Sequence, residues 1–214
     1  MDLHEFLLTH TRPQPVPLLP GLRIYGVDAL VPLWEATEVL LGRTNLDAPY
    51  WAVPWAGGIA LARWLCEHPE QVVGRRVLDF ACGSGLAGLQ AARLGAGSVA
   101  FAEIDPLAHA AVALNAGLNG VAAEVVTDDL LATGLTDADV VLAGDVFYSG
   151  PMSARVEPFL RAHAAAGRLV LVGDPGRKYL PQRAMTLVWE GDVPVSRDWE
   201  DREIRRSRVW QMRA

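Results

Sequence analysis

From residue 76 onward the chain alternates between short apolar runs and segments whose apolar residues recur at helical spacing. The apolar runs predict five strands, at residues 76–80, 98–104, 124–127, 139–143 and 168–173. The periodic segments predict three intervening helices, at residues 86–94, 106–119 and 152–166. Strands that are apolar throughout are buried on both faces. This alternation is typical of an α/β protein, in which right-handed crossovers cover both sides of a parallel sheet.

The segments on either side of this region extend the prediction. Residues 187–212 lack a strong helical pattern and predict two further strands, as an antiparallel pair, which brings the sheet to seven strands. Residues 57–67 carry apolar positions at helical spacing and predict a helix that ends at His68-Pro69. The sequence therefore predicts a seven-stranded, mostly parallel sheet whose last strand is antiparallel.

The first 50 residues are rich in proline and predict an N-terminal extension to a domain that covers residues 51–214. Helical pieces are predicted at residues 5–9 and 33–41. Prolines at positions 13, 15, 17 and 20 exclude regular helix between them, because proline fixes φ and lacks a backbone donor. We expect this stretch to cross the surface as extended chain.

Composition narrows the range of partners and compartments. A net charge of −6 argues against a nucleic-acid partner, whose phosphates require a basic surface. The absence of a run of 18 apolar residues argues against a membrane span, and the acidic N-terminus does not resemble a signal peptide. We therefore expect a cytoplasmic protein. Cys66, Cys82 and five scattered histidines lack the spacing of metal ligands, so no metal is expected.

The loop after the first predicted strand has the composition of a ligand-binding turn. It contains Gly83 and Gly85, which allow a tight turn and the close approach of a ligand, and it leads into a helix N-terminus. Ligands bind at this end of the strands in such sheets. With Gly88 the glycines also spell G-x-G-x-x-G, and Glu103 follows at the spacing of a ribose-binding acid, so a nicotinamide dinucleotide is one candidate ligand.

Asp79 favours a different ligand. A carboxylate four residues before the first glycine would repel a pyrophosphate, whereas it suits the positively charged methionyl part of S-adenosylmethionine. Glu103 is then expected to hold the ribose hydroxyls. Asp129, with Asp128 as a nearly equal alternative, is expected to accept from the adenine amino group. The sequence thus predicts S-adenosylmethionine as cofactor.

Four segments carry a resemblance to a known family. They are PYWAVPWAGGIALARWL, VLDFACGSGLAGLQAARLGA, AGDVFYSGPM and LVGDPGRKYL. Together they resemble the lysine methyltransferases of the electron-transfer flavoprotein β-subunit, including bacterial relatives, over roughly residues 15–212. That family has the Rossmann-like sheet of the class I methyltransferases. The resemblance implies a protein substrate, and the β-subunit as the preferred one.

The resemblance also implies roles for individual residues. The segment from Asp145 to Tyr148 matches the D-x-x-Y signature of protein lysine methyltransferases. Asp145 follows the fourth predicted strand, so it is expected to orient the target amine, and Tyr148 is expected to narrow the channel. Phe147 is expected to supply an aromatic wall. The alternative is that Asp145 caps the next helix and that Phe147 and Tyr148 belong to the core. The cofactor-binding residues implied in addition are Trp55, Gly57 and Gly144. Asp174 and Arg177 are expected either to clamp the substrate backbone or to order their own loop.

Three other functions compete with lysine methylation. The first is methylation of a ribosomal protein or of a nitrogen in a small molecule, on the same fold. The second is an NAD-dependent oxidoreductase, which Asp79 argues against. The third is a cofactor-binding subunit without catalysis, which the D-x-x-Y segment argues against.

Overall fold

The computed structural model describes residues 2–214. Its helices are α1 (Leu3–His10), α2 (Leu30–Leu41), α3 (Ala56–Glu67), α4 (Leu86–Arg93), α5 (Pro106–Asn119), α6 (Leu130–Thr133) and α7 (Gly150–Ala165). Its strands are β1 (Arg12–Pro15), β2 (Arg23–Gly26), β3 (Arg76–Phe80), β4 (Ser98–Ala102), β5 (Glu124–Val126), β6 (Val140–Gly144), β7 (Leu169–Asp174), β8 (Met185–Pro194) and β9 (Ile204–Met212). Single 3₁₀ turns cover Tyr50–Ala52, Pro69–Gln71 and Gln182–Ala184.

The central sheet has seven strands in the order β5-β4-β3-β6-β7-β9-β8. Strands β3 to β7 pair in parallel, and β9 is antiparallel to both of its neighbours, β7 and β8. This confirms the predicted seven-stranded, mostly parallel sheet with an antiparallel last strand. The chain leaves β3 toward β4 on one side and returns to β6 on the other, so the carboxyl ends of β3, β4 and β6 border a topological switch point.

Neighbouring residues of each central strand point into different cores. In β3, Val77 packs in a cluster with residues of α3 and α4, whereas Leu78 packs in a cluster with residues of α7. In β6, Leu142 belongs to the cluster with α3 and α4, and Val141 belongs to the cluster with α7. Because successive strand side chains alternate between the two faces, an uninterrupted apolar run buries both.

The proline-rich segment differs from its prediction. Instead of only crossing the surface, it forms an antiparallel hairpin of β1 and β2, and the buried side chains of Val16, Leu19, Leu22 and Ile24 join the core cluster of α3 and α4. Prolines fit this hairpin because an edge strand leaves some N–H positions without a ladder partner. Residues of α1, α2 and the 3₁₀ turn at Tyr50–Ala52 form a third cluster against α5.

The predicted strands of residues 76–173 are all present, with ends that differ by at most two residues. The short helix α6 was not predicted, because four residues are too few to show a helical repeat. Asp129 caps this helix by accepting from the backbone N–H of Leu131. Among the helices of residues 2–214, none has the length and apolar character needed to cross a bilayer.

Candidate active site

A cavity of about 780 Å³ lies at the carboxyl ends of β3, β4 and β6. Its size falls in the range of small-molecule and cofactor sites. It is lined by the loop after β3 and by the region after β5. It is also lined by residues of α2 and of the segment between α2 and α3, including Thr37, Leu41, Tyr50 and Trp55. The N-terminal segment therefore contributes directly to the site.

The loop after β3 turns through left-handed backbone conformations. Ala81, Gly83 and Gly85 have φ values of 50°, 53° and 76°. Gly83 borders the cavity, and its N–H donates to Glu103 Oε2 at 3.0 Å. At Gly85 a Cβ would instead lie 3.1 Å from the Phe101 ring, on the core side. Gly85 is therefore required for the turn and its packing, and it does not line the cavity as we expected.

Asp79 ends up as a buried carboxyl beside the cavity. It is only 2% exposed, and its Oδ2 accepts from the backbone N–H of Gly88 at 2.7 Å. Burial raises the pKa of Asp79 to about 7; the Gly88 N–H opposes that rise, and the negative charge of Glu103 adds to it. A ligand that brings positive charge to this point would restore the ionised form.

Glu103 and the acids after β5 surround the far end of the cavity. Glu103 Oε1 accepts from the backbone N–H of Ile104 at 2.7 Å, so both of its oxygens are fixed by the chain. Asp129 is also engaged: Oδ1 accepts from Leu131 at 3.0 Å, and Oδ2 accepts from Arg155 at 2.7 Å. Asp128 lines the same cavity and is exposed. The carboxyl of Asp128 is therefore the more accessible of the two.

Asn115 joins the N-terminal hairpin to the cofactor loop. Its fully buried side-chain amide accepts from the N–H of Tyr25, in β2, at 2.6 Å and donates to the carbonyl of Ser84 at 2.9 Å. One helical turn later, Asn119 accepts from the N–H of Arg23 and donates to its carbonyl. The two amides therefore hold the same hairpin, but only Asn115 also holds the loop.

This arrangement predicts different effects for two matched substitutions. Asn115→Asp keeps the acceptor for Tyr25 but faces a carboxylate toward the Ser84 carbonyl, so we expect affinity for S-adenosylhomocysteine to fall on the order of tenfold. Asn119→Asp disturbs only the hairpin, so it should lower the melting temperature with affinity nearly unchanged. Calorimetric titration and thermal unfolding measure the two effects. Equal losses of affinity in both variants would contradict a specific role for Asn115.

Asp145 stands directly after β6, where the chain turns sharply. It has a φ of 59°, which is uncommon for a residue with a side chain and is tolerated best by Asp and Asn. Its Oδ2 accepts from the N–H of Gly58, near the start of α3, at 3.0 Å, and its Oδ1 accepts from Arg177 Nη2 at 2.9 Å. Burial raises the pKa of Asp145, while Arg177 and the Gly58 N–H oppose that rise.

Glycines allow α3 to reach this point. A Cβ on Gly57 would lie 2.2 Å from the carbonyl oxygen of Gly173 and 2.6 Å from Asp145 Oδ2, so only glycine fits there. A Cβ on Gly144 would lie 3.1 Å from the Cα of Gly58, which is a tight but milder contact. Gly144 and Gly58 line the cavity, whereas Gly57 is buried behind it. Gly57 thus acts by packing, which differs from the predicted cofactor contact.

Aromatic side chains border the mouth of the cavity. Tyr148 is 50% exposed, and its ring centroid lies 5.8 Å from that of Tyr50. Tyr50 lies at the same distance from Trp55, whose indole N–H donates to the Tyr50 carbonyl at 2.7 Å. Phe147 is fully buried in the core cluster around α7. The expectation that Phe147 forms the channel wall is therefore wrong, and Tyr50 occupies that place with Tyr148.

Asp174 ends β7, and Arg177 lies in the loop that follows it. Asp174 is fully buried and does not reach the cavity; its Oδ1 accepts from the backbone N–H groups of Gly176 and Arg177, each at 2.6 Å. Of the two roles left open for Asp174, ordering its own loop is the one that the geometry supports. Arg177 does line the cavity, with its guanidinium carbon 5.9 Å from the centre of a Trp55 ring.

The charges around the cavity fit S-adenosylmethionine. Carboxylates outnumber guanidinium groups among the lining side chains, and Asp79 is buried next to the glycine loop. A pyrophosphate placed on this loop would face Asp79 and Glu103, whereas a ligand that carries ammonium and sulfonium groups would be stabilised by them. Within residues 2–214, His, Cys, Asp and Glu side chains form no group of three that could hold a metal ion.

Comparison with known proteins agrees with this assignment. The sequence profile of the ribosomal protein L11 methyltransferases (PrmA) matches residues 64–168. The electron transfer flavoprotein beta subunit lysine methyltransferase of Xenopus laevis is 34% identical over 175 residues, which cover 81% of this chain and 70% of that protein. The chain therefore belongs to the same methyltransferase family as this Xenopus protein. The Danio rerio member is 36% identical over 76% of this chain and 66% of its own length, so the chain spans about two thirds of that relative.

Solved structures confirm the class I methyltransferase fold. Magnesium protoporphyrin IX methyltransferase from Synechocystis, with S-adenosylmethionine bound, superposes with a TM-score of 0.53 at 20% identity, over 73% of this chain and 78% of that one. Membership of the family identifies the enzyme as an S-adenosylmethionine-dependent methyltransferase, which argues against the oxidoreductase alternative.

Sequence reasoning missed several residues that line the enzyme's cavity. Tyr50, Gly58 and Arg155 were not singled out, although Tyr50 and Gly58 lie within the segment that carries the family resemblance. Arg155 lies on α7 and gives no local signal. Its pairing with Asp129 depends on how α7 packs beside α6.

Proposed function

We propose that the enzyme transfers methyl groups to lysine side chains of a protein, and that its preferred target is the electron-transfer flavoprotein β-subunit. The observation that carries this proposal is Asp145, whose side chain is 10% exposed and lines the cavity between an arginine and a helix N-terminus. The names of the relatives in Xenopus and Danio support the choice of target. The acidic balance of the chain suits a substrate that presents lysine.

The chemistry assigns distinct tasks to the residues of the site. S-adenosylmethionine supplies, when bound, a methyl group on a positively charged sulfur. A lysine ammonium must lose its proton before its nitrogen can act as nucleophile. Asp145 binds and orients that ammonium, and its raised pKa makes it a better proton acceptor than an exposed aspartate. Tyr148 and Tyr50 confine the alkyl chain of the lysine at the mouth of the cavity.

We assign the cofactor contacts by the same geometry. Asp79 and the loop at Gly83 hold the methionyl part, Glu103 holds the ribose hydroxyls, and Trp55 and Gly144 border the methionyl end. Asp128 accepts from the adenine amino group in place of Asp129, because Asp128 is exposed in the cavity whereas the charge of Asp129 is paired with Arg155. This assignment supports one member of the pair that the sequence left open.

Methylation of a ribosomal protein is the second candidate. The match of residues 64–168 to the ribosomal protein L11 methyltransferase profile favours it. That match includes the strands that form the cofactor cavity and ends before Asp174 and the loop that contains Arg177. It therefore says more about the cofactor than about the substrate.

Radiolabelled S-adenosylmethionine separates the two candidates. The enzyme is incubated with purified bacterial electron-transfer flavoprotein and, in parallel, with purified ribosomes, and the labelled bands are identified by mass spectrometry. We expect the label on lysines of the β-subunit. Label confined to a ribosomal protein would replace the proposed target, and label on neither would contradict both candidates.

A further inference from the structure

The charged groups around Arg177 are not fully paired. Arg177 donates through Nη2 to Asp145, but its buried Nε has no hydrogen-bond partner among the described residues. The Oδ2 atom of the fully buried Asp174 also lacks a partner within residues 2–214. The side chain of Glu200, which is 3% exposed, accepts from Arg205 through Oε2, and its buried Oε1 is unpaired in the same part of the chain. Unpaired buried polar atoms of this kind are costly.

Both oxygens of Asp145 are already engaged. One of its oxygens accepts from Gly58 and the other from Arg177. A lysine ammonium that binds Asp145 therefore competes with Arg177 for the same carboxylate, and two cations beside one carboxylate repel each other. The guanidinium of Arg177 is only partly exposed, so a second anion nearby would stabilise it once it leaves Asp145.

We propose that Arg177 is a displaceable counter-ion, which neutralises Asp145 in the free enzyme and moves to the free oxygen of Asp174 when a substrate ammonium arrives. The inference rests on the proposed lysine methylation. Asp174 is suited to receive Arg177 because it lies three residues away at the end of β7, already accepts from the backbone N–H of Arg177, and keeps Oδ2 buried and unpaired. Burial raises the pKa of Asp174 to about 6, which is consistent with a carboxyl that lacks a full counter-ion.

The exchange also selects the substrate class. A primary ammonium can replace the positive charge of Arg177 beside Asp145, so the number of charges near Asp145 is preserved. A neutral alcohol or amide cannot do so, because Arg177 would leave Asp145 without compensation. The site therefore admits cationic amines and discriminates against neutral nucleophiles.

Two substitutions test the exchange, because they should shift KM in opposite directions. Asp174→Asn keeps an oxygen for the two backbone N–H groups but removes the anion, so Arg177 stays on Asp145. We expect KM for the protein substrate to rise on the order of tenfold, with kcat within about twofold. Arg177→Met keeps an apolar stem over Trp55 but removes the competitor, so KM should fall. Steady-state kinetics at saturating S-adenosylmethionine give both constants.

A matched control removes a carboxylate that takes no part in the exchange. Asp201→Asn alters an exposed acid in the loop between β8 and β9, near Glu200, and should leave KM unchanged. If Asp174→Asn also leaves KM unchanged, or if Asp174→Asn and Arg177→Met shift KM in the same direction, the exchange is wrong.

Nuclear magnetic resonance provides a readout that does not depend on the protein target. The side-chain Nε–H signal of Arg177, assigned by its loss in Arg177→Met, is followed in the complex with S-adenosylhomocysteine while n-butylamine is added. We expect the signal to shift in the wild type and to stay in place in Asp174→Asn. If no protein lysine is methylated but this shift occurs, the proposed function fails and the exchange stands. If lysines are methylated and the signal does not respond, the exchange alone is contradicted.

Discussion

Asp145→Asn is expected to lower the rate of methyl transfer on the order of 10² or more, because it removes a group that positions the amine and handles its proton. The substitution is well matched to the backbone: asparagine tolerates the φ of 59° at this position, and its oxygen still accepts from the N–H of Gly58. Affinity for S-adenosylhomocysteine should change by less than about threefold, since the expected cofactor contacts lie elsewhere. Single-turnover kinetics and calorimetry measure the two quantities.

Loss of the ion pair with Arg177 has to be separated from loss of catalysis. Thermal unfolding of Asp145→Asn reports the structural cost, and Tyr148→Phe serves as the comparison at the same mouth. The latter keeps its ring beside Tyr50 and should reduce turnover much less than Asp145→Asn does. Near-normal turnover in Asp145→Asn, or a loss that appears only where the protein unfolds, would show that Asp145 is structural.

Local patterns were sufficient to predict the sheet, because each strand of the parallel region is a short, mostly apolar run that alternates with segments of helical spacing. The hairpin of β1 and β2 gave no such signal. Its strands are four residues long, β1 contains two prolines, and β2 is held by hydrogen bonds to Asn115 and Asn119, about 90 residues further along the chain. Pairing between distant segments is a tertiary property that no local pattern records.

The site was predictable to the extent that topology brings strand ends together. Asp79 is the penultimate residue of β3, and Glu103 and Asp145 directly follow β4 and β6, so the shared edge of the sheet places all three around one cavity. The orientation of Phe147 was not predictable, because residues 145–149 form a turn, in which side chains do not alternate as they do in a strand. The pairing of Asp145 with Arg177 joins residues 32 apart and depends on how the loop after β7 folds.

The cofactor affinity of the wild-type enzyme should depend on pH through Asp79. Its pKa of about 7 in the free protein means that the carboxyl is largely protonated below pH 7. A cationic ligand group prefers the ionised form, so binding below pH 7 must release a proton. We expect the Kd for S-adenosylhomocysteine to weaken by up to about tenfold for each pH unit below 7 and to be level above it. Calorimetry in buffers of different ionisation enthalpy counts the released proton.

Asp79→Asn should abolish this dependence and show how much the charge contributes. The amide still accepts from Gly88 but carries no charge, so the Kd at pH 8 should weaken on the order of 10², which is about 2.7 kcal/mol. The free variant should melt higher than the wild type at pH 8. Folding raises the pKa of Asp79 above its usual value, so its ionisation destabilises the free protein as pH rises toward 7 and remains unfavourable above it.

A ligand without the amino-acid part isolates the interaction. 5′-Methylthioadenosine lacks the methionyl ammonium, so its affinity should be nearly independent of pH between 6 and 8 and nearly equal for the wild type and Asp79→Asn. The difference between the two ligands then measures the contact of Asp79 with the positive end of the cofactor. If both ligands lose affinity equally in Asp79→Asn, the carboxyl acts by holding Gly88 and the loop in place, and its proposed electrostatic role is wrong.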